Sequence, residues 1–438
     1  MERSIPIEDS RLRLIVVAAS LAIAVFLCYQ AARIWRADTL VHSENPSTIA
    51  RGAALEPGNG DAWDRLGHYY EWNFTNPNPA LAISYYNRAF TDDPRSANFL
   101  MDLASAYEAA GDLARAQQAW KQAQTAYPSS AEVDWNYGNF LLRQGNLPEA
   151  YAEIRNAVQA DPKLLTIAIS RAWRASHDVQ QLLNQALPPD ANAYFEALDF
   201  LSSIQQADAA LQVWEKLMRL GQRFELSRSF PFLEHLIREG RAADARRVWL
   251  QALAAAGRAH DEPANHSAVW DGDFAQDFAN GGLGWRWHAM PGASVDFNPA
   301  PPGHGARSVR LDFGGGTNLD LNQPLQYVPV KAATNYHFHA YIRTEAITTE
   351  SGIRFHVLDF LHPNDLSLST DNLTGTHPWT AADVDLTTGP QTTFLVIGVQ
   401  RTPSRLFDNK LGGTAWIADV SLVPVQTSAR PEAGRKSR

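Results

Sequence analysis

The chain has 438 residues, a formal net charge of −9 and a single cysteine. Its hydrophobic share of 45% excludes a wholly disordered protein, because such chains lack the apolar surface that offsets the ordering entropy. The acidic balance argues against nucleic acid as a partner, since that binding depends mainly on cationic contacts to phosphate. One cysteine excludes an intrachain disulfide framework and a zinc site built from several thiolates.

An apolar stretch near the N-terminus predicts a membrane-spanning helix. Residues 14–32 are 19 positions without Asp, Glu, Lys or Arg, and a spanning helix needs ~20 apolar residues. The flanking arginines favour a cytoplasmic location for residues 1–13. We therefore expect an uncleaved signal anchor in the inner (cytoplasmic) membrane, with the bulk of the chain extracytoplasmic, in the periplasm if the cell is Gram-negative. Cleavage as a signal peptide and a merely buried helix are the alternatives.

Small residues and prolines recur at a fixed interval after this stretch. Residues 63–70 read WDRLGHYY, and glycines mark the expected turns at Gly111 and Gly145. Small residues let two antiparallel helices approach, glycine makes the turn, and proline ends the second helix. The positions spaced by 34 residues are the alanines Ala82, Ala116 and Ala150 and the prolines Pro94, Pro128 and Pro162.

With this period and the W-x-x-L-G-x-x-Y motif, residues 46–257 resemble the tetratricopeptide-repeat (TPR) family. The pattern is strongest up to Pro162, and residues 163–187 fit it poorly. The resemblance implies an α-helical solenoid of about five to six helix pairs whose groove binds a protein partner. Trp72, Trp135 and Trp173 lie off the strongest template positions, so they are candidates for groove contacts, with packing between repeats as the alternative.

The helical pattern ends at a polar segment, residues 258–267, which we interpret as a linker. Short alternating apolar runs separated by glycine and proline follow, and they predict an antiparallel β-sandwich of ~8 strands. The fold class is therefore α then β, multidomain, with a disordered tail over 427–438. The clearest predicted strands are Ser308–Phe313, Asn335–Arg343, Gly352–Asp359, Thr392–Arg401 and Ala415–Pro424.

Residues 268–426 resemble jelly-roll carbohydrate-binding modules. The motifs that carry the resemblance are the opening 269–274 (VWDGDF), the pair Gly284-Trp285 and the closing 416–422 (WIADVSL). The resemblance implies a jelly roll that binds a glycan, although related jelly rolls also recognise proteins or serve only as structural modules. It also implies a structural calcium held by Asp273 and Asp419. Two solvated turn acids are the alternative, because Ala275 and Ala418 stand where the family often has acids.

Sugar binding needs flat aromatic rings and a few polar groups. Trp287 and Tyr341 are the aromatic candidates. Alternation along a strand places His337, His339, Tyr341 and Arg343 on one face, and we expect Arg354 and His356 to share that face. The H-x-H pair could also bind a metal, but no carboxylate stands at a recognisable spacing beside it, so a solvated face is the default interpretation.

The combined expectation is a membrane-anchored, non-enzymatic envelope adaptor. Its repeats would bind a protein partner, its jelly roll would bind a polysaccharide, and residues 14–32 would anchor the protein in the membrane. This arrangement would suit polysaccharide assembly or export. We find no catalytic residues in a known motif and no cofactor beyond the calcium. The alternatives are a protein scaffold whose jelly roll binds no sugar and an enzyme that uses the His337/His339 face.

Overall fold

The computed structural model describes residues 10–73, 77–258 and 267–425. The predicted tail 427–438, most of the predicted linker 258–267 and most of the predicted N-terminal segment 1–13 lie outside these residues. The chain divides into two compact units, 1–188 and 189–438. Four of the helices that the sequence assigns to the repeats thus group with the sheets.

The first helix, α1 (Ser10–Val41), contains the apolar stretch. It is long and apolar enough to cross a membrane, and its hydrophobic side chains between Leu12 and Trp35 are largely exposed. Its C-terminal end is different, because Ala37 and Val41 are buried against α2 (Pro46–Leu55). A Cβ at Gly52 would lie 2.9 Å from the carbonyl oxygen of Ala37. The apolar helix therefore supplies the first helix of a leading helix pair.

Antiparallel helix pairs follow in the first unit, as the 34-residue period predicts. Ala82, Ala116 and Ala150 are fully buried on the second helix of successive pairs, and Gly111 and Gly145 adopt positive φ at the turns. Residues 163–187 are helical although they fit the repeat poorly. The helices are α3 (Gly60–Glu71), α4 (Pro79–Asp92), α5 (Ala97–Ala109), α6 (Leu113–Ala126), α7 (Ala131–Arg143), α8 (Leu147–Ala160), α9 (Leu165–Ser176) and α10 (Val179–Gln181), the last continued by a π turn, Leu182–Ala186.

The second unit begins with four helices, α11 (Ala191–Ser203), α12 (Ala207–Arg219), α13 (Phe230–Arg238) and α14 (Ala242–Ala255). The last two pack directly on the segment that leads into the sheets. A Cβ at Gly281 would lie 2.1 Å from the ring of Phe230. The Arg286 guanidinium binds both carboxylate oxygens of Glu234, at 3.1 and 2.5 Å. Packing and an ion pair thus join α13 to the segment that leads into the sheets.

Two antiparallel sheets form the rest of the unit. One has five strands in the order β1-β2-β9-β4-β7, and the other has four in the order β3-β8-β5-β6. Their apolar faces enclose one core, which includes Phe338, Phe355 and Trp285. The strands are β1 (Ala293–Pro299), β2 (Arg307–Gly314), β3 (Leu325–Pro329), β4 (Asn335–Ile347), β5 (Arg354–Asp359), β6 (Ser367–Ser369), β7 (Gly375–Thr387), β8 (Phe394–Gln400) and β9 (Gly412–Pro424).

The five predicted strands are present, with small shifts of their ends. The sequence did not single out β7, which contains Pro378. A proline cannot donate to a ladder and is tolerated on an edge strand, and β7 is indeed an edge of its sheet. This strand pairs with β4 and lies beside His337 and His339.

Candidate functional site

An open depression of about 620 Å³ lies at the start of the helix pairs. Its lining comes from the turn after α1, from α2 and from one face of α3. The exposed indole of Trp72, at the C-terminal end of α3, is 64% accessible. An exposed tryptophan beside a cavity is a common anchor for a protein partner. The residues that line this pocket are Ser43, Glu44, Ile49, Arg65, His68, Tyr69 and Trp72.

His68 connects this pocket to a cluster of acids between α3 and α5. Its Nε2 lies 3.2 Å from a carboxylate oxygen of Asp102, and its Nδ1 lies 3.8 Å from Asp64. Glu71 accepts hydrogen bonds from the Tyr86 hydroxyl at 2.6 Å and from Ser105 at 3.3 Å. One oxygen of Asp64 is buried and has no hydrogen-bond partner among the described residues. Two carboxyl groups therefore lie beside a single imidazole, and a third, that of Glu71, belongs to the same cluster.

Burial and contacts within the cluster shift the pKa values of its members. Desolvation, followed by the charge of Asp102, raises the pKa of Asp64 from 3.8 to about 7. Desolvation also raises the pKa of Glu71, whereas the hydrogen bond to Asp102 raises the pKa of His68.

The three tryptophans proposed for the groove have different environments. Trp72 lines the pocket, whereas Trp173 is buried at 7% exposure and belongs to the core, which agrees with the alternative of packing between repeats. Trp135 is partly buried, with the guanidinium of Arg171 5.2 Å from its ring centroid. Helix periodicity alone could not separate these cases, because the template positions do not report which end of a helix is covered by a neighbour.

A second polar surface lies on the outer face of the five-stranded sheet. His337, His339, Tyr341 and Arg343 alternate with buried residues along β4, as predicted. The partner strand β7 places Asp385 opposite His337 and Asp383 opposite His339. His337 Nδ1 is 2.7 Å from Asp385, and His339 Nδ1 is 2.6 Å from Asp383. No carboxylate stands at a recognisable spacing beside this pair in the sequence, but the strand pairing brings two acids to it.

The row continues along β4 with two side chains that stack on neighbours. Tyr341 contacts the ring of His339 edge-on at 5.0 Å between centroids and that of His304 at 3.9 Å. The Arg343 guanidinium lies 4.4 Å from the ring centroid of Trp416 and 3.0 Å from the carboxylate of Glu345. The face therefore offers aromatic, imidazole and guanidinium groups in one line.

Arg354 and His356 do not join this row, so the expectation of a shared face was wrong. They lie on β5, in the four-stranded sheet, because the chain crosses from one sheet to the other after β4. His356 instead contacts Ser367 at 2.9 Å and Gln400 at 3.2 Å, and burial lowers its pKa. Trp287 is partly buried and packs against the core between the sheets.

The residues considered for calcium meet at one edge of the sandwich. A Cβ at Gly305 would lie 2.8 Å from the Cβ of Asp273, and the neighbouring His304 lies 3.4 Å from a carboxylate oxygen of Asp419. The loop before β2 thus touches both acids. Nearby, desolvation raises the pKa of Asp271 to about 7. Calcium at this edge stays a prediction.

The sequence alone does not place the acids of either polar cluster beside the histidines that they contact. Asp383 and Asp385 are two residues apart, as are His337 and His339. Side chains at this spacing lie on the same face of a strand, and this matching spacing is the signal that the sequence contains. The strands β5 and β6 intervene in the chain, so the sequence could not show that β4 and β7 are neighbours. Asp64 and Asp102 are likewise on different helices, with α4 between them.

Comparison with known proteins identifies the repeats. No curated protein sequence matches the chain. A structure of PilF from Pseudomonas aeruginosa is 18% identical, covers 43% of this chain and 90% of its own, and has a TM-score of 0.30. The enzymatically active domain of tailspike protein 4 from bacteriophage CBA120 is 13% identical, with a TM-score of 0.28. The alignment covers 36% of this chain and 22% of the tailspike chain.

A third structure, YrrB, described as a TPR protein with an unusual peptide-binding site, is 11% identical, covers 48% of this chain and 93% of its own, and has a TM-score of 0.26. At such TM-scores none of the three alignments supports an inference. The family profile named "Tetratricopeptide repeat" matches residues 75–116 and 102–164. These residues, which contain the alanines and prolines spaced by 34, are tetratricopeptide repeats.

Proposed function

We propose that this protein is a membrane-anchored, non-enzymatic adaptor. Its pocket beside Trp72 binds a segment of a protein partner. Tetratricopeptide repeats support protein–protein interaction. The observation that carries the proposal is the pocket of about 620 Å³ with a 64% exposed indole directly after the apolar helix. The acids around His68 favour a partner segment that pairs an apolar side chain with a lysine or arginine.

Site-specific photo-crosslinking tests this proposal. A photoreactive amino acid at Trp72 should capture one discrete partner in intact membranes, and the same group at Tyr127, which is also exposed but lies outside the pocket, should not. Asp64→Asn should weaken capture by a basic partner segment. Equal capture from both positions, or none from position 72, would refute the pocket as the binding site.

We propose further that residues 14–32 span the inner membrane and that the repeats lie outside the cytoplasm. Cys28, the single cysteine, lies in the middle of this stretch. It should resist a membrane-impermeant maleimide until detergent is added. In a Cys28→Ser background, a cysteine in place of the exposed Ser129 should react from the outer side of the membrane. Labelling only after lysis would invert the proposed orientation.

The second candidate function is glycan binding by the outer face of the five-stranded sheet, in keeping with a role in polysaccharide assembly or export. The observation that favours it is the continuous row of His337, His339, Tyr341 and Arg343. The full-length protein should bind envelope polysaccharides on a glycan array, and Tyr341→Ala should abolish binding while Tyr127→Ala leaves it unchanged. If no glycan is bound, the sandwich is a structural or protein-binding module.

A further inference from the structure

Two pairs of potential metal ligands face each other across β4 and β7. His337 and His339 alternate with buried residues on β4, and the register places Asp385 and Asp383 directly opposite them. All four side chains therefore project from the same face of the sheet. Opposing positions in an antiparallel pair have Cβ atoms ~4.5–5.5 Å apart, so the imidazoles and carboxylates can reach one another.

Two imidazole nitrogens converge on one carboxylate oxygen. His337 Nε2 lies 3.3 Å and His339 Nδ1 lies 2.6 Å from the same oxygen of Asp383. The three ligand atoms lie within 4.8 Å of one another. Zinc binds nitrogen and carboxylate oxygen at ~2.0–2.2 Å in a tetrahedron, which places neighbouring ligand atoms about 3.3 Å apart. A small rotation of the Asp383 carboxylate would admit an ion between the three groups.

The remaining acid orients one of the ligands. Asp385 holds His337 Nδ1 at 2.7 Å, which leaves Nε2 as the nitrogen that points toward Asp383. A carboxylate bound to the far nitrogen of a ligating histidine is the usual outer partner in metal sites, because it fixes the tautomer and the ring orientation. The edge-on contact between Tyr341 and His339 restrains the orientation of the second ring.

The cluster is also accessible and suitably charged. The side chains of His339, His337 and Asp383 are 26, 43 and 46% exposed, respectively, so an ion can enter from solvent. Three protein ligands leave the outward coordination position to water or to an oxygen of a bound molecule. Neutral imidazoles and carboxylates are a ligand set that suits zinc and related divalent metals.

We propose that His337, His339 and Asp383 bind one divalent transition-metal ion, with Asp385 as the positioning residue for His337. This site is separate from the helical pocket and does not depend on glycan binding, because the ion alone is the ligand. Among the described residues one other group has comparable spacing, formed by Asp64, His68 and Asp102, so the experiment must distinguish the two.

Zinc binding to the untagged, full-length protein in detergent tests the proposal. After removal of metal with a chelator, the wild type should bind one zinc per chain in calorimetry, and Co²⁺ should give a tetrahedral absorption spectrum. His339→Ala and Asp383→Asn should each weaken binding at least 100-fold. Asp385→Asn should weaken it about 10–100-fold, as expected for an outer partner.

Two histidine variants serve as matched controls. His377 lies on β7 six residues from Asp383, which is about 20 Å along a strand, and His377→Ala should leave zinc affinity unchanged. His68→Ala should likewise have no effect. Asp383→Asn keeps the side-chain shape, so a loss of zinc binding in this variant is not explained by misfolding. Absence of stoichiometric zinc, zinc retained in His339→Ala, or zinc lost in His68→Ala would each overturn the proposal.

Discussion

Replacing Asp64 by asparagine should stabilise the folded protein, and the gain should grow with pH. Burial and the neighbouring Asp102 raise the pKa of this carboxyl from 3.8 to about 7 in the folded chain. Between these two values the folded state binds more protons than the unfolded state. Its free energy of unfolding therefore falls as pH rises through that window and levels off above it. Asparagine is neutral throughout, so the variant escapes this loss.

The size of the effect follows from the same values. Each pH unit inside the window is worth about 1.4 kcal/mol for an isolated group. From about pH 5 to about pH 8 the advantage of the variant should therefore rise by ~2–3 kcal/mol as an upper bound, because His68 shares charge with the cluster. Asp64 is only 13% exposed, so screening by solvent removes little of it.

Urea unfolding of the detergent-solubilised protein at both pH values measures this difference. Asp92→Asn is the matched control, since Asp92 is exposed on the neighbouring helix α4, and its effect should be within about 0.5 kcal/mol at either pH. The reasoning fails if Asp64→Asn is less stable than the wild type at the higher pH. It also fails if the difference between the two proteins does not depend on pH.

Two further predictions concern packing. A Cβ at Gly67 would lie 2.4 Å from the ring of Tyr86, so Gly67→Ala should lower the free energy of unfolding by about 1–3 kcal/mol. Gly58→Ala, where nothing lies within 4 Å, should be neutral, and equal effects in denaturant unfolding would contradict the predicted clash. In the second unit, Glu234→Ala leaves the 13% exposed Arg286 without its carboxylate and should cost about 2–4 kcal/mol. Proteolysis should then become faster at the segment that contains Gly281 and Arg286. An unchanged rate of cleavage there would show that the ion pair is dispensable.

The repeats were predictable because their signals are local. Ala82, Ala116 and Ala150 must be small wherever two helices touch, and all three are fully buried. Trp285, which belongs to the Gly284-Trp285 motif, packs in the core of the sandwich. These positions depend on contacts within one repeat or one sandwich, which a period or a motif records directly.

The polar clusters were predictable only in part, because they depend on which strands and helices become neighbours. His337 and His339 were selected by alternation along one strand, but Asp383 is 44 residues further along the chain from His339. Nothing in the residue pattern indicates that Arg354 lies in the other sheet. Residue spacing describes one element at a time, and the pairing of distant elements is decided by the core.

The continuity of α1 into the first helix pair has a mechanical consequence. From Ala32 to Val41 the helix runs without a break, a rod of about 14 Å at ~1.5 Å per residue. Rotation of the apolar segment about its own axis must therefore turn the pocket that begins at Ser43. One residue inserted after Ala32 would swing that pocket by about 100° and raise it by only ~1.5 Å, whereas seven inserted residues would nearly restore its direction. The direction in which the pocket faces is thus set by the number of helical residues between the apolar segment and Ser43.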